Sequence, residues 1–308
     1  MSVGFLFRSV CAGAARVSAV RPLQSFHTGC PLGAAEKALL MKLRKSTGYT
    51  FTNCKKALEK FDNDVAQAET WLHEQAKREG WSKAHKLEGR RVKEGLIGVF
   101  VGDSDAVMVE VNCETDFVAR NEAFQELVKA VAFATLAHHK NRTQGQSGYV
   151  KSLLGGEDLS KLTLTEGVTL GDHLAFVIGR LGENMSVKRA VTLGVPAHWH
   201  IGSYVHGSVA GQTQVTMGRY GALVVLQGGP DGEQAALGRT LGQHVVGEAP
   251  VALGNMEDLP CGDAETRLLP QTLLSDPSRT VAQFLRGKQA RVLDFVRFQC
   301  GEKAELQE

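Results

Sequence analysis

The stretch LIGVFVGDSDAVMVEVNCETDFVARNEAFQELVKAVAFATL, residues 96–136, changes its hydrophobic period partway along. Leu96 to Gly102 and Ala106 to Asn112 read as strands, separated by Asp103-Ser104-Asp105, and Val107, Val109 and Val111 alternate against Met108 and Glu110. A two-strand hairpin is predicted, because short polar connections of this kind join antiparallel neighbours. From about Asn121 the apolar residues Phe124, Leu127, Val128, Val131 and Leu136 recur at helical spacing. The unit is therefore strand, strand, helix, and its junction, VNCETDFVARNEAF over residues 111–124, sets Phe117 beside Asp116 where a strand ends and a helix begins. Two roles are open to Phe117: it starts the apolar stripe of the following helix seven residues ahead of Phe124, or it serves an interaction. Asp116 has a local explanation, since an acid near a helix N-terminus is favoured by the dipole.

Downstream the same order returns. Residues 141–170 are polar and contain Gly, and DHLAFVIGRL (172–181) reads as a helix stopped by Gly182. MSVKRAVTLGV, IGSYVHGSV and YGALVVLQG then read as strands, and GEQAALGRTLGQHVVG as a helix with Leu237, Leu241 and Val245 on one side. A short capped helix around Val281 to Leu285, a strand carrying Val292, Val296 and Phe298, and a frayed tail close the chain. The fold class this predicts is α+β, with a core of two α+β subdomains, residues 96–190 and 191–308, built on antiparallel sheets with packed helices.

Upstream lie three short amphipathic segments within 36–82: Leu39, Leu40 and Leu43 before Gly48; Ala57, Leu58 and Phe61 before the turn Asp62-Asn63; and Val65, Ala68, Trp71 and Leu72 after a capping Asp64, ending near Gly80. They make a three-helix domain of marginal size. Residues 83–95 follow as a basic linker or helix extension; no aromatic residue interleaves the charges of 82–94 to stack on bases, so nucleic-acid binding is not expected. Residues 1–35 hold Arg8, Arg16 and Arg21 with several Ser and no acid before Glu36, the composition of a mitochondrial transit peptide, with a disordered tail as the alternative.

Composition narrows the function. The 308 residues are 43% hydrophobic and 22% charged, with a net charge of +2 that predicts no polyanionic partner from the whole-molecule field. No run approaches the ~18 apolar residues of a membrane span. Six cysteines without a CxxC pair read as reduced thiols. There is no GxxxxGK[ST] loop, so no direct nucleotide binding is expected, and GxGxxG, HExxH and GxSxG are missing as well. His198, His200 and His206 lie close in sequence without acids or Cys beside them, so no metal site is expected. His138 and His139 read as cations at a helix end. Asn141-Arg142-Thr143 and Asn184-Met185-Ser186 match glycosylation acceptors, which matter only in a secreted chain. No enzyme activity and no cofactor are predicted.

NCETDFVARNEAFQ, together with TGYTFTNCKKALEKFDNDVAQA, GENMSVKRA with GSYVHG, and DPSRTVAQFL with VLDFVRFQCGE, closely resembles elongation factor Ts in four blocks in the same order, covering roughly Glu36 to Glu302. The arginine-rich leader is similar to that of the mitochondrial branch. The resemblance implies a guanine nucleotide exchange factor that binds mitochondrial elongation factor Tu, as a 1:1 heterodimer in the mitochondrial matrix, with no membrane and no cofactor. It implies an N-terminal domain like a ubiquitin-associated (UBA) domain and two related core subdomains. It also implies that Thr115, Asp116, Phe117 and Val118 enter the partner's G domain and disturb its magnesium and phosphate site, Phe117 as the wedge, and that Lys55 lies where the N-terminal domain meets the G domain. Bacterial members carry a projecting helical hairpin; residues 247–268 here, with Pro250 and Pro260 and no heptads, imply that it is reduced. Two alternatives without exchange activity stay open: a ubiquitin-like-protein-binding module using Thr47-Gly48-Tyr49, and an RNA-binding module using residues 82–94.

Overall fold

In the computed structural model, residues 34–164, 167–209, 211 and 214–302 are described; most of the leader expected over 1–35, and the tail 303–308, lie outside the described residues. The hairpin at the centre is β1 (Glu94–Val101) against β2 (Asp105–Cys113), in register from Glu94↔Cys113 to Val101↔Ala106. The turn closes where Gly102 N donates to Asp105 O at 2.8 Å. β2 also pairs with β4 (Met185–Gly194), which pairs with β3 (Val150–Gly155), followed at once by the short helix α6 (Gly156–Ser160), while β1 takes β6 (Thr216–Gly218) on its other side. The result is a five-stranded antiparallel sheet of order β3-β4-β2-β1-β6. A second antiparallel sheet, β5-β7-β8, is made of β5 (Trp199–His206), β7 (Tyr220–Gly228) and β8 (Ala290–Gln299).

The two sheets stack face to face, so the hairpin is buried on both of its faces. Val107, Val109 and Val111 point to one core with Phe124, Leu127 and Val131 of α5 (Glu122–Thr143) and Ile178 of α7 (Leu170–Leu181). The opposite face is also buried: Ile97, Val99, Ala106 and Met108 pack on Leu223, Val225, Val296 and Phe298 of the second sheet. Beyond that sheet, Ala222, Val224 and Leu226 meet Leu237, Leu241 and Val245 of α8 (Gln234–Glu248) and Val281 and Leu285 of α9 (Val281–Gly287). Four layers follow, helix, sheet, sheet, helix, with β1, β2, β4, β7 and β8 each serving two cores. β4 crosses the boundary expected at 190/191, and β6, from the second half of the chain, completes the first sheet. Between α8 and α9 the described residues hold a single 3-10 turn, Gly262–Ala264, and Arg267 gathers this segment by pairing with Asp258 and Glu265 at 2.9 and 2.8 Å.

The N-terminal bundle consists of α1 (Ala34–Thr47), α2 (Phe51–Lys60) and α3 (Val65–Leu87) around Leu40, Leu43, Cys54, Leu58, Leu72 and Ala76. Asp64 caps α3 by accepting from Ala66 N and Gln67 N at 2.9 and 3.0 Å. Gly80 is not the stop that its residue type suggested: α3 runs on to Leu87, so only 88–93 connect it to β1. A Cβ at Gly80 would lie 2.6 Å from Ala175 O, and one at Gly179 would lie 2.9 Å from Ala76 O, so both glycines let α3 and α7 touch backbone to backbone. Across this crossing Trp81 Nε1 donates to Asp172 Oδ1 at 3.0 Å, and Arg180 Nε donates to Thr47 O.

His139 corrects a second expectation. α5 continues to Thr143, so His139 is not at the helix end; it is 2% exposed, with Nε2 3.5 Å from Asp105 Oδ1, and burial pushes its pKa below the ordinary value of 6.5.

Candidate functional site

After β2 the chain makes one turn of helix, α4 (Asp116–Ala119), before α5 begins. Thr115 caps α4: its Oγ1 accepts from Val118 N at 3.3 Å and donates to the Glu183 carboxylate, 2.9 and 3.0 Å from its two oxygens. Val118 and Ala119 are buried in the core against α5 and α7, and Asp116 pairs with Arg120 at 2.9 Å along the helix. Consecutive helical residues point about 100° apart. Fixing Val118 and Ala119 inward therefore turns Phe117 outward, where it is 79% exposed. It cannot begin the stripe of α5, because Asn121 caps a new helix by accepting from Ala123 N at 2.9 Å, and the stripe starts at Phe124, fully buried.

The loop is latched to the turn between α7 and β4. Glu114 Oε1 accepts from Asn184 N at 2.7 Å and stands 3.5 Å from Arg90, whose carbonyl accepts from Asn184 Nδ2 at 2.9 Å. Beneath it, the Cys113 thiol donates to Thr115 O at 3.1 Å, and burial, with Glu183 nearby, pushes that thiol up to about 12. Glu183, Asn184 and Arg90 were missed as site residues by sequence reasoning. GEN stood out only as a quoted block, and nothing in its spacing links it to a threonine 68 residues earlier in the chain.

Thr115, Asp116, Phe117 and Val118 thus form one unit in which Phe117 is presented, Thr115 and Val118 are anchors and Asp116 pairs within its own turn. Lys55 lies elsewhere. It is on α2, 3.6 Å from Glu59 and one helical turn after the exposed Phe51, and no hydrogen bond or ion pair among the described residues joins it to α4. Between α1 and the start of α5, with α7 beside them, runs an open groove of about 960 Å³ lined by Met41, Arg44, Arg120, Glu122, Phe176 and Arg180. The loop Thr47-Gly48-Tyr49 does not offer the surface that a ubiquitin-like partner would use. Thr47 and Tyr49 are each 3% exposed, and Arg180 of the core covers the Tyr49 ring at 5.5 Å.

Among the described residues no group of three or more His, Cys, Asp or Glu is placed to hold a metal ion. His198 stacks edge-on with Trp199 and His206 lies against Tyr204 and Tyr220. Cys54, Cys113, Cys261 and Cys300 are free thiols. No helix among the described residues is long and apolar enough to cross a membrane. What the site offers chemically is an exposed aromatic ring on a fixed mount.

Comparison with known proteins gives the same direction. A family described as "Elongation factor Ts, mitochondrial, N-terminal" matches residues 23–82, and one described as "Elongation factor TS" matches residues 114–261. The chain is 73% identical to a protein of Salmo salar named "Elongation factor Ts, mitochondrial", over 98% of both chains. Proteins of the same name from Xenopus laevis and Homo sapiens are 50% and 47% identical, covering 96% of this chain and 96% and 94% of theirs.

Proposed function

The chain belongs to the elongation factor Ts family, and from that premise we propose that it accelerates GDP release from mitochondrial elongation factor Tu by driving Phe117 into the partner's magnesium and phosphate site. As a family member it is a mitochondrial translation elongation factor and a nucleotide exchange factor for elongation factor Tu, a role that changes no covalent bond. The observation that supports the wedge is the 79% exposure of a Phe whose two following residues are buried. An apolar ring fixed in water by its own backbone is stabilised only when a partner covers it.

Magnitudes limit what the ring does alone. Burying a Phe contributes ~1.5–3 kcal/mol, whereas a nucleotide held at nanomolar to micromolar affinity is bound by ~8–12 kcal/mol. The remainder comes from a broad grip, with the bundle around Lys55 and Phe51 as a second contact, in a 1:1 complex in the matrix. Linkage makes the process reversible: by whatever factor the chain weakens GDP binding, GDP weakens the chain's binding. A transient ternary complex lets GDP leave and GTP enter, and GTP then expels the exchange factor.

The test preloads mitochondrial elongation factor Tu with fluorescent GDP and follows its release into excess unlabelled GDP after addition of the full chain. Strong acceleration that Phe117→Ala reduces at least tenfold, with a smaller loss of affinity for the partner, is expected. A variant as active as the parent would remove Phe117 from the mechanism while leaving the family intact.

A further inference from the structure

The end of α3 and the connection after it concentrate positive charge. Residues 77–93 hold seven Lys or Arg and two Glu, a net +5 in a chain whose total is +2, so the other 291 residues sum to −3. Lys77, Arg78, Lys86, Arg91 and Lys93 are exposed, with no ion-pair partner among the described residues. Helical spacing places Lys77, Arg78, Trp81, His85 and Lys86 on one open face of α3, with the indole in the middle.

That indole changes the reading of the segment. The sequence window 82–94 contains no aromatic residue, but the continuation of α3 puts Trp81 on the same surface, 59% exposed. Its Nε1 is tied to Asp172, and its tip would stand 3.5 Å from a Cβ at Gly171, so one edge of the ring is fixed while the rest faces solvent. From Lys77 the strip runs about 15 Å along α3 and up to ~20 Å more in the connection, ending where Arg90 meets Glu114.

We propose that this strip binds single-stranded nucleic acid, its cations neutralising phosphates and Trp81 stacking on a base. The length suits a strand of several nucleotides, within the ~4–16 of known single-strand sites. An anionic membrane fits less well. A helix lying in a bilayer surface needs an apolar face, and here Trp81 is a lone, pinned ring, while Ala84 and Leu87 turn inward to the core.

Fluorescein-labelled U12 RNA and dT12 DNA, titrated with the full chain over a range of KCl, test this. Saturable binding is expected, with a log–log salt slope steeper than about −2, since each neutralised phosphate on a single strand contributes about −0.7. Trp81→Ala should lose about fivefold or more in affinity, whereas Trp81→Phe, which keeps a ring without the Asp172 bond, should retain most of it. The exposed pair Lys86→Glu/Arg91→Glu should weaken binding and flatten the slope by about 1. A melting temperature within a few degrees of the parent's in all three variants controls for folding. Preference for RNA over DNA would add a ribose hydroxyl contact, and equal binding would assign the site to phosphate and base faces alone. The proposal is overturned if neither oligomer saturates at 50 mM KCl, if the variants bind as the parent does, or if only vesicles containing anionic lipid are bound.

Discussion

Phe117 stands in water because two side chains beside it do not. Val118 and Ala119 are inside the core, and Thr115 holds the first turn of α4 by bonding both Val118 N and Glu183. The mount is thus separable from the ring it presents, which gives a test distinct from removing that ring. Thr115→Val removes an N-cap whose loss costs ~1 kcal/mol in typical helices and leaves the Glu183 carboxylate without its donor. Exchange should fall several-fold while the melting temperature drops by only a few degrees, and Glu183→Gln, which keeps an acceptor, should retain most of the activity. Equal, full activity in both variants would show that α4 needs no fixing. At this scale the sequence was half legible. The motif and its neighbouring acid stood out, but whether Phe117 faced in or out turned on Asn121, a cap that separates two helices where the apolar spacing reads as one. The latch to Glu183 and Asn184 was illegible, because it joins residues brought together only by the β2–β4 pairing.

α3 is the element whose reading changed most. Gly80 reads as a stop in a helical pattern because glycine is a poor helix former, yet here it is the point at which two helices touch. The small residues Ala76, Gly80, Ala175 and Gly179 bring the α3 and α7 backbones together and make the bundle and the core one mount, so that Lys55 and Phe117 are held at a fixed separation. Gly179→Val should break this contact, since its Cβ would lie 2.9 Å from Ala76 O. Each part should keep its own core, but the connection at 88–93 should become the first site of limited proteolysis, and exchange should fall by about tenfold or more. If the protease pattern is unchanged, the crossing is not what holds the two parts together. Most strands and amphipathic helices were legible from period alone. Contacts between helices were not, because a glycine carries no side chain to signal what approaches it.

Over the whole molecule, histidines set into the packing of helices and sheets tie stability to acidity. His139, His173, His200 and His244 all have pKa values pushed below 6.5, burial being the first cause in each. A histidine depressed in the folded state takes up its proton more readily when unfolded, so its contribution to stability is complete above about pH 6.5 and is lost as pH falls below it. The melting temperature should therefore be level from pH 8 to 7 and fall by several degrees toward pH 5.5, and His139→Gln should reduce that fall. A flat profile over this range would show that these histidines charge without cost. The order of most elements was legible in the sequence, although β3 and β6 were not. The stacking of the sheets was not, since a strand buried on one face and a strand buried on two differ only at positions such as Met108 and Glu110. Glu110 carries a further consequence. Its carboxylate is fully buried in the middle of β2 and is held by Lys188 and Arg189 at 3.2 and 2.7 Å and by the amide of Gly301 at 2.8 Å, 191 residues along the chain. A ribosome or an import pore releasing this chain N-terminus first delivers that amide near the end. Until it arrives the first sheet encloses a charge that lacks one of its donors, so the central hairpin completes its environment only after translation or import is nearly over. Fragments that stop before β8 should then be retained by chaperones rather than fold.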